Sequence, residues 1–228
     1  MKIKLAIATV STLILGLVVA GAASGAFVAI YRNALETTAQ RSEVLKLSGK
    51  ECTRGGGKTT LNVTVGKLTE ECAYKTPVVG SDLEIAATGS INPATPPAVA
   101  KKAFLGLQLR AGAGAKLELR VFPGQKKAQI ARITEEGIKF LAVAKNIAAL
   151  KEGKAVVLRL RAISGAGELA GTCKVSGYLA GELVVEAEDP ACGELEGETT
   201  ALSAGAPNNG VGVIAGFAAI VVRTPVRF

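Results

Sequence analysis

The chain has no histidine and no tryptophan, and only three tyrosines and six phenylalanines among its 228 residues. Without histidine there is no Ser-His-Asp or Cys-His nucleophile and no imidazole general base, and any zinc site would need Cys and carboxylate ligands alone. With so few rings, a stacking platform for sugars or bases can only be small. The four cysteines contain no C-x-x-C pair, which argues against zinc ribbons and thioredoxin-type chemistry. No cofactor fingerprint occurs, so no cofactor is expected, and the chain reads as a non-enzyme.

What is present begins with an uncharged run of 26 residues from Leu5 to Ile30, preceded by Lys2 and Lys4 and closed by Arg32. A helix rises about 1.5 Å per residue and about 20 apolar residues cross a bilayer, so this run predicts a single span with the N-terminus cytoplasmic and the rest outside. The competing reading is a signal peptide cleaved at Ser24-Gly25-Ala26, which would leave a secreted domain. Membrane lipid is thus an expected partner through the anchor. Gly21 and Gly25 match the small-xxx-small spacing through which two such helices could form a homo-oligomer. The expected divisions are an anchor over residues 1–32, a polar stalk over 33–50 and a folded domain over 51–228.

Within that domain the apolar residues alternate with polar ones. Leu61, Val63 and Val65 occupy every second position, as do Leu105, Leu107 and Leu109, then Leu117, Leu119 and Val121, then Val156, Leu158 and Leu160. Period two means strands. Pro123-Gly124-Gln125 and Ser176-Gly177 read as turns between strands, and Asn208-Asn209-Gly210 as the turn into a final run over 213–222. Ile138, Leu141, Ala142 and Lys145 also fit a helical period, but residues 138–150 are read as a strand and a loop. Ten to thirteen strands without a long amphipathic helix predict an all-β antiparallel sandwich or barrel.

The order of these pieces resembles a concanavalin A-like, laminin G-like jelly roll. The resemblance is carried by residues 80–89 (GSDLEIAATG), 103–110 (AFLGLQLR), 117–133 (LELRVFPGQKKAQIARI), 155–162 (AVVLRLRA), 173–189 (CKVSGYLAGELVVEAED) and 210–222. It implies a jelly-roll sandwich on a membrane anchor and, at the level of the family, carbohydrate binding. The E-x-D-x-x-E carboxylates of jelly-roll glucanases are absent, Glu186-Ala187-Glu188-Asp189 having a different spacing.

Export favours disulfides, and of three connectivities the nearest-neighbour set joins Cys52 to Cys72 and Cys173 to Cys192. Charge is uneven: residues 101–161 hold 14 basic and four acidic residues, and residues 163–222 one basic and eight acidic. Alternation of Lys116 with Arg120, and of Arg159 with Arg161, suggests a basic face for an anionic polymer or glycan, weighed against an ordinary solvated strand face. Nucleic acid is not an expected partner, because the domain is exported and lacks interleaved aromatics. The acidic residues 182–198 read as solubilising loop charge and lack a calcium-loop motif, so no metal site is expected. Asn62-Val63-Thr64 fits the N-glycosylation triplet within a strand. The leading expectation is a membrane-anchored, extracytoplasmic binding or display module. The alternatives are a glycoside-acting enzyme, which needs two carboxylates in a cleft, and a self-assembling surface protein, which needs an open strand edge or exposed apolar patch.

Overall fold

A computed structural model describes residues 26–56, 60–66, 70–112, 114–166, 170–195, 197–207 and 212–226. Residues 5–25, with Gly21 and Gly25, lie outside this set, as do residues 208–210. Among the described residues no helix is long and apolar enough to cross a membrane. These residues form fifteen strands and two short helices: β1 (Phe27–Asn33), α1 (Thr38–Ser42), β2 (Leu45–Ser48), β3 (Cys52–Gly56), β4 (Leu61–Val65), β5 (Glu71–Val79), β6 (Leu83–Ile91), α2 (Pro97–Ala100), β7 (Phe104–Ala111), β8 (Lys116–Phe122), β9 (Lys127–Thr134), β10 (Gly137–Ala144), β11 (Val156–Ser164), β12 (Cys173–Leu179), β13 (Glu182–Asp189), β14 (Thr199–Gly205) and β15 (Ile214–Pro225).

Two antiparallel sheets face each other. One runs β10-β9-β8-β7-β14-β5-β2, and the other runs β13-β12-β11-β6-β15-β4-β3, with β1 added along β15. Alternation builds the core directly: Leu105, Leu107, Leu109, Leu117, Leu119 and Ile130 from the seven-stranded sheet meet Leu61, Ile85, Leu158, Leu160, Val175 and Phe217 from the other, all fully buried. Each such side chain contributes about 1.5–3 kcal/mol by leaving water. Both expected disulfides are present. Cys52 to Cys72 spans 5.7 Å between Cα atoms and ties β3 to β5 across the two sheets, while Cys173 to Cys192 spans 5.6 Å and ties β12 to the segment after β13.

Three local expectations are corrected. Residues 33–50 are not a stalk: Leu35 and Val44 are fully buried, and Thr37 caps α1 through a reciprocal capping box with Gln40. Among the described residues the first strand thus starts at Phe27, where β1 pairs with β15, and the apolar run cannot continue as a helix through Ile30. Finally, Ser176-Gly177 is not a turn. Strand β12 continues through it, with a register shift against β13 between Gly177 and Tyr178, and the chain reverses at Ala180-Gly181, both with positive φ. Gly177 is needed for packing instead, since a Cβ there would lie 2.8 Å from methyl carbons of Leu119 and Val185. Residues 138–150 form β10 followed by a loop.

Candidate functional site

In β8, Leu117, Leu119 and Val121 point into the core, which turns Lys116, Glu118 and Arg120 to the outer side of the seven-stranded sheet. Register places Gln108 of β7 beside Glu118, and Gly106 beside Arg120 and Ser203 of β14. These side chains close on one another. Gln108 Nε2 donates to Glu71 Oε1 at 2.6 Å and to Glu118 Oε1 at 3.0 Å. Ser203 Oγ donates to the same Glu118 oxygen, and Lys116 Nζ donates to Glu71. Arg120 bridges both carboxylates, at 2.6 Å to Glu118 and 2.7 Å to Glu71, while its guanidinium lies 4.6 Å from the Phe104 ring centroid. Gly106 makes room for the cluster: a Cβ would fall 1.9 Å from Ser203 Oγ.

The two carboxyls are pushed apart electrostatically. Burial, and then the charge of Glu118, raises the Glu71 pKa against the pull of Lys116 and Arg120. Glu118 is buried as well, which by itself would raise it. The charges of Lys116 and Arg120, with the hydrogen bonds from Gln108 and Ser203, overcome that and hold Glu118 below the usual carboxylate range. Such a split can mark an acid and base pair. Here Glu118 is fully buried and its oxygens are already taken by Gln108, Ser203 and Arg120, so the cluster acts as a closed structural knot.

Open space lies beside the knot, in two hollows that share Gly112, Gly114 and Ala115 from between β7 and β8. A smaller hollow of about 200 Å³ is lined by Leu47, Ser48, Gln108, Lys116 and Ile133 along with these three residues. A larger one of about 640 Å³ is lined by the same three, by Arg132, Glu135 and Glu136 of the β9–β10 hairpin, and by Ala191, Glu194 and Leu195. Arg110, held at φ +51°, fixes the far wall by donating to the Cys192 carbonyl at 3.0 Å and to Ser164 Oγ at 2.6 Å. Two buried acceptors have no partner among the described residues, Gln108 Oε1 and Asp189 Oδ2. Gln108 lines the smaller hollow. Asp189 accepts through its other oxygen from Arg132 and from the Ala191 backbone, both of which line the larger one.

The expected basic face is divided by the topology. Lys116 and Arg120 stand on the outer side of the seven-stranded sheet, whereas Arg159 and Arg161 stand on the outer side of the other, because β8 and β11 belong to different layers. The second pair also shares one carboxylate with a third arginine. Arg161 and Arg223 bind Glu84 at 2.7 and 2.6 Å, and Arg159 lies 3.9 Å from it. Arg159 stacks 4.0 Å over Tyr178 and Arg161 4.1 Å over Phe27. Among the described residues no three metal-ligating side chains converge. Sequence reasoning missed Glu71, Gln108, Ser203 and Arg132. The available signal was Gln108 among Leu105, Leu107 and Leu109, a polar residue on a strand face that proves fully buried.

No protein-family model matches the sequence, and no curated protein matches it. Solved structures do match in shape. The carbohydrate-binding module CBM66 from Bacillus subtilis aligns with a TM-score of 0.58 at 13% identity, over 80% of this chain and 96% of that one. A Bacillus subtilis protein with a galectin-like fold aligns at 0.60 and 13%, over 88% and 97%. The kappa-carrageenase from Pseudoalteromonas carrageenovora, in complex with an oligotetrasaccharide of kappa-carrageenan, aligns at 0.55 and 6%, over 94% and 100%. At these identities the likeness defines the fold, a concanavalin A-like, galectin-like jelly-roll sandwich.

Proposed function

We propose that the chain is a non-enzymatic extracytoplasmic binding module, and that it holds a glycan or other hydroxyl-rich envelope polymer in the two hollows beside Gly112, Gly114 and Ala115. One observation carries this reading: the larger hollow brings the donor Arg132 and the acceptors Glu135, Glu136 and Glu194 to one place, the mixed set with which the hydroxyl groups of a polyol pair. The larger hollow sets one arginine against three glutamates, which favours a neutral or amino-bearing sugar over a polyanion. Its volume suits a short oligosaccharide. The jelly-roll fold of a carbohydrate-binding module supports the same reading.

Two disulfides are consistent with a location outside the cytoplasm. The 21 residues from Leu5 to Gly25 are enough to anchor the domain, and with no stalk it would stand directly on the membrane. The exported protein should bind members of a glycan panel, and Glu136→Ala, which changes an exposed side chain lining the larger hollow, should weaken that binding while leaving the fold intact. A panel with no hit would overturn the reading. Membrane-pellet retention after carbonate washing, with digestion of the domain by external protease, tests the anchor. Release of a shortened form would show cleavage.

A self-assembling role has one observation in its favour. Among the described residues, edge strand β10 pairs only with β9, and it exposes about half of Ile138, Phe140 and Val143. Phe140→Lys should then convert assemblies to monomers in sedimentation, and a wild-type monomer at high concentration would refute this role.

A further inference from the structure

The triplet Asn62-Val63-Thr64 lies in β4, where Val63 is buried in the core and Asn62 and Thr64 share the outer side of the eight-stranded sheet. Strand alternation thus presents acceptor and hydroxyl together. The neighbours of Asn62 in register are Gly55 of β3 on one side and Gly216 of β15 on the other. Neither brings a side chain. A Cβ on Gly216 would stand 3.3 Å from Asn62 Oδ1, and one on Gly55 would come no nearer than 4.0 Å to the Asn62 Cβ. The space beside the carboxamide is therefore kept clear on both flanks. Asn62 Oδ1 accepts from Thr60 Oγ1 at 3.2 Å, and Nδ2 has no hydrogen-bond partner among the described residues. This is the only N-x-Ser/Thr triplet with a residue other than proline in the middle.

We infer that Asn62 is an N-glycosylation site, taking an oligosaccharide from a polyprenyl-phosphate-linked donor of the cell envelope. In the transfer, Asn62 Nδ2 forms a bond to the anomeric carbon of the first sugar. The bond from that carbon to the phosphate oxygen breaks, the polyprenyl phosphate leaves with the electron pair, and Nδ2 gives up one proton to the transferase's base and then to water. No oxidant or reductant takes part. Because β4 is enclosed between β3 and β15, and β15 is made after β4, transfer must precede docking of β15; the two glycines then admit the first sugar into the finished sheet. The glycan stands on the sheet opposite the Glu71–Glu118 knot, so it leaves the two hollows open and keeps this end of the eight-stranded sheet from packing against another protein.

The inference rests on the proposed export, and one experiment separates the two. Protein isolated from its native cell envelope is first mapped without reduction, where the two disulfides report export, and then digested with trypsin. The peptide over residues 59–67 should carry a hexose- or hexosamine-containing mass. That mass should vanish in Asn62→Gln and Thr64→Ala and persist in Thr64→Ser, with unchanged melting in all three. Exported, disulfide-bonded protein that yields this peptide only at its bare mass would overturn the site while leaving export standing. Sugar that survives Asn62→Gln would overturn it equally.

Discussion

Arg120 is the residue whose loss should cost the fold most outside its apolar core. Its guanidinium reaches both carboxylates of the outer cluster, and Glu118 has no access to solvent. Arg120→Ala leaves two buried like charges sharing the amide of Gln108. Breaking a buried ion pair by removing one partner costs about 3–5 kcal/mol. For a domain of this size about 1 kcal/mol moves the melting temperature by ~2–4 °C, so the expected loss is about 6–20 °C at neutral pH. A charge-free variant, Arg120→Met and Lys116→Met with Glu71→Gln and Glu118→Gln, should recover most of that loss, because no ion of the cluster is left unpaired. Calorimetric melting of the three proteins is the assay. A shift below about 2 °C for Arg120→Ala would mean that the pair behaves like a solvated surface pair, and the buried-knot account would be wrong.

The other predictions concern the same framework. Glu71→Gln should flatten the pH dependence of melting on one side only: the raised folded pKa of Glu71 gives a contribution present below the ordinary carboxylate range and lost as pH rises through that folded value, whereas the lowered pKa of Glu118 gives one lost as pH falls through its own. A variant that instead loses its acid limb would reverse the assignment. Cys52→Ser with Cys72→Ser should lower stability by about 3 kcal/mol, since the bridge restrains a short loop, and non-reducing peptide maps should show the Cys173–Cys192 bridge unaffected. Gly106→Ala should destabilise by about 1–3 kcal/mol through overpacking, because the added Cβ would fall 1.9 Å from Ser203 Oγ and 2.8 Å from Glu118 Oε1. Unchanged melting of Gly106→Ala would mean that the cluster does not need the space this glycine leaves.

The strands were legible because the core is built on strict alternation, as in Leu105-x-Leu107-x-Leu109, and the disulfides because each pair closes a loop of about twenty residues. Layer assignment was not legible. Nothing local to Arg120 or Arg159 says that β8 and β11 lie in different sheets, and a face assembled from both could only be corrected by the strand order. Gly177 misled for a related reason. Glycine serves turns and close packing alike, and only the approach of Leu119 from the opposite sheet distinguishes them. The supposed stalk hid two core residues, Leu35 and Val44, among polar neighbours, too sparse to register as a period. Glu71 escaped notice because its partners come from β7 and β8, more than thirty residues away.

Hydrogen exchange of the exported protein, with and without a bound glycan, tests the proposed site most directly. The account predicts added protection in segments 107–116, 132–136 and 190–195, which surround the two hollows, and none in 157–161 or 174–178 on the opposite sheet. Protection confined to that opposite sheet, or no protection at a saturating concentration of a sugar that binds, would contradict it.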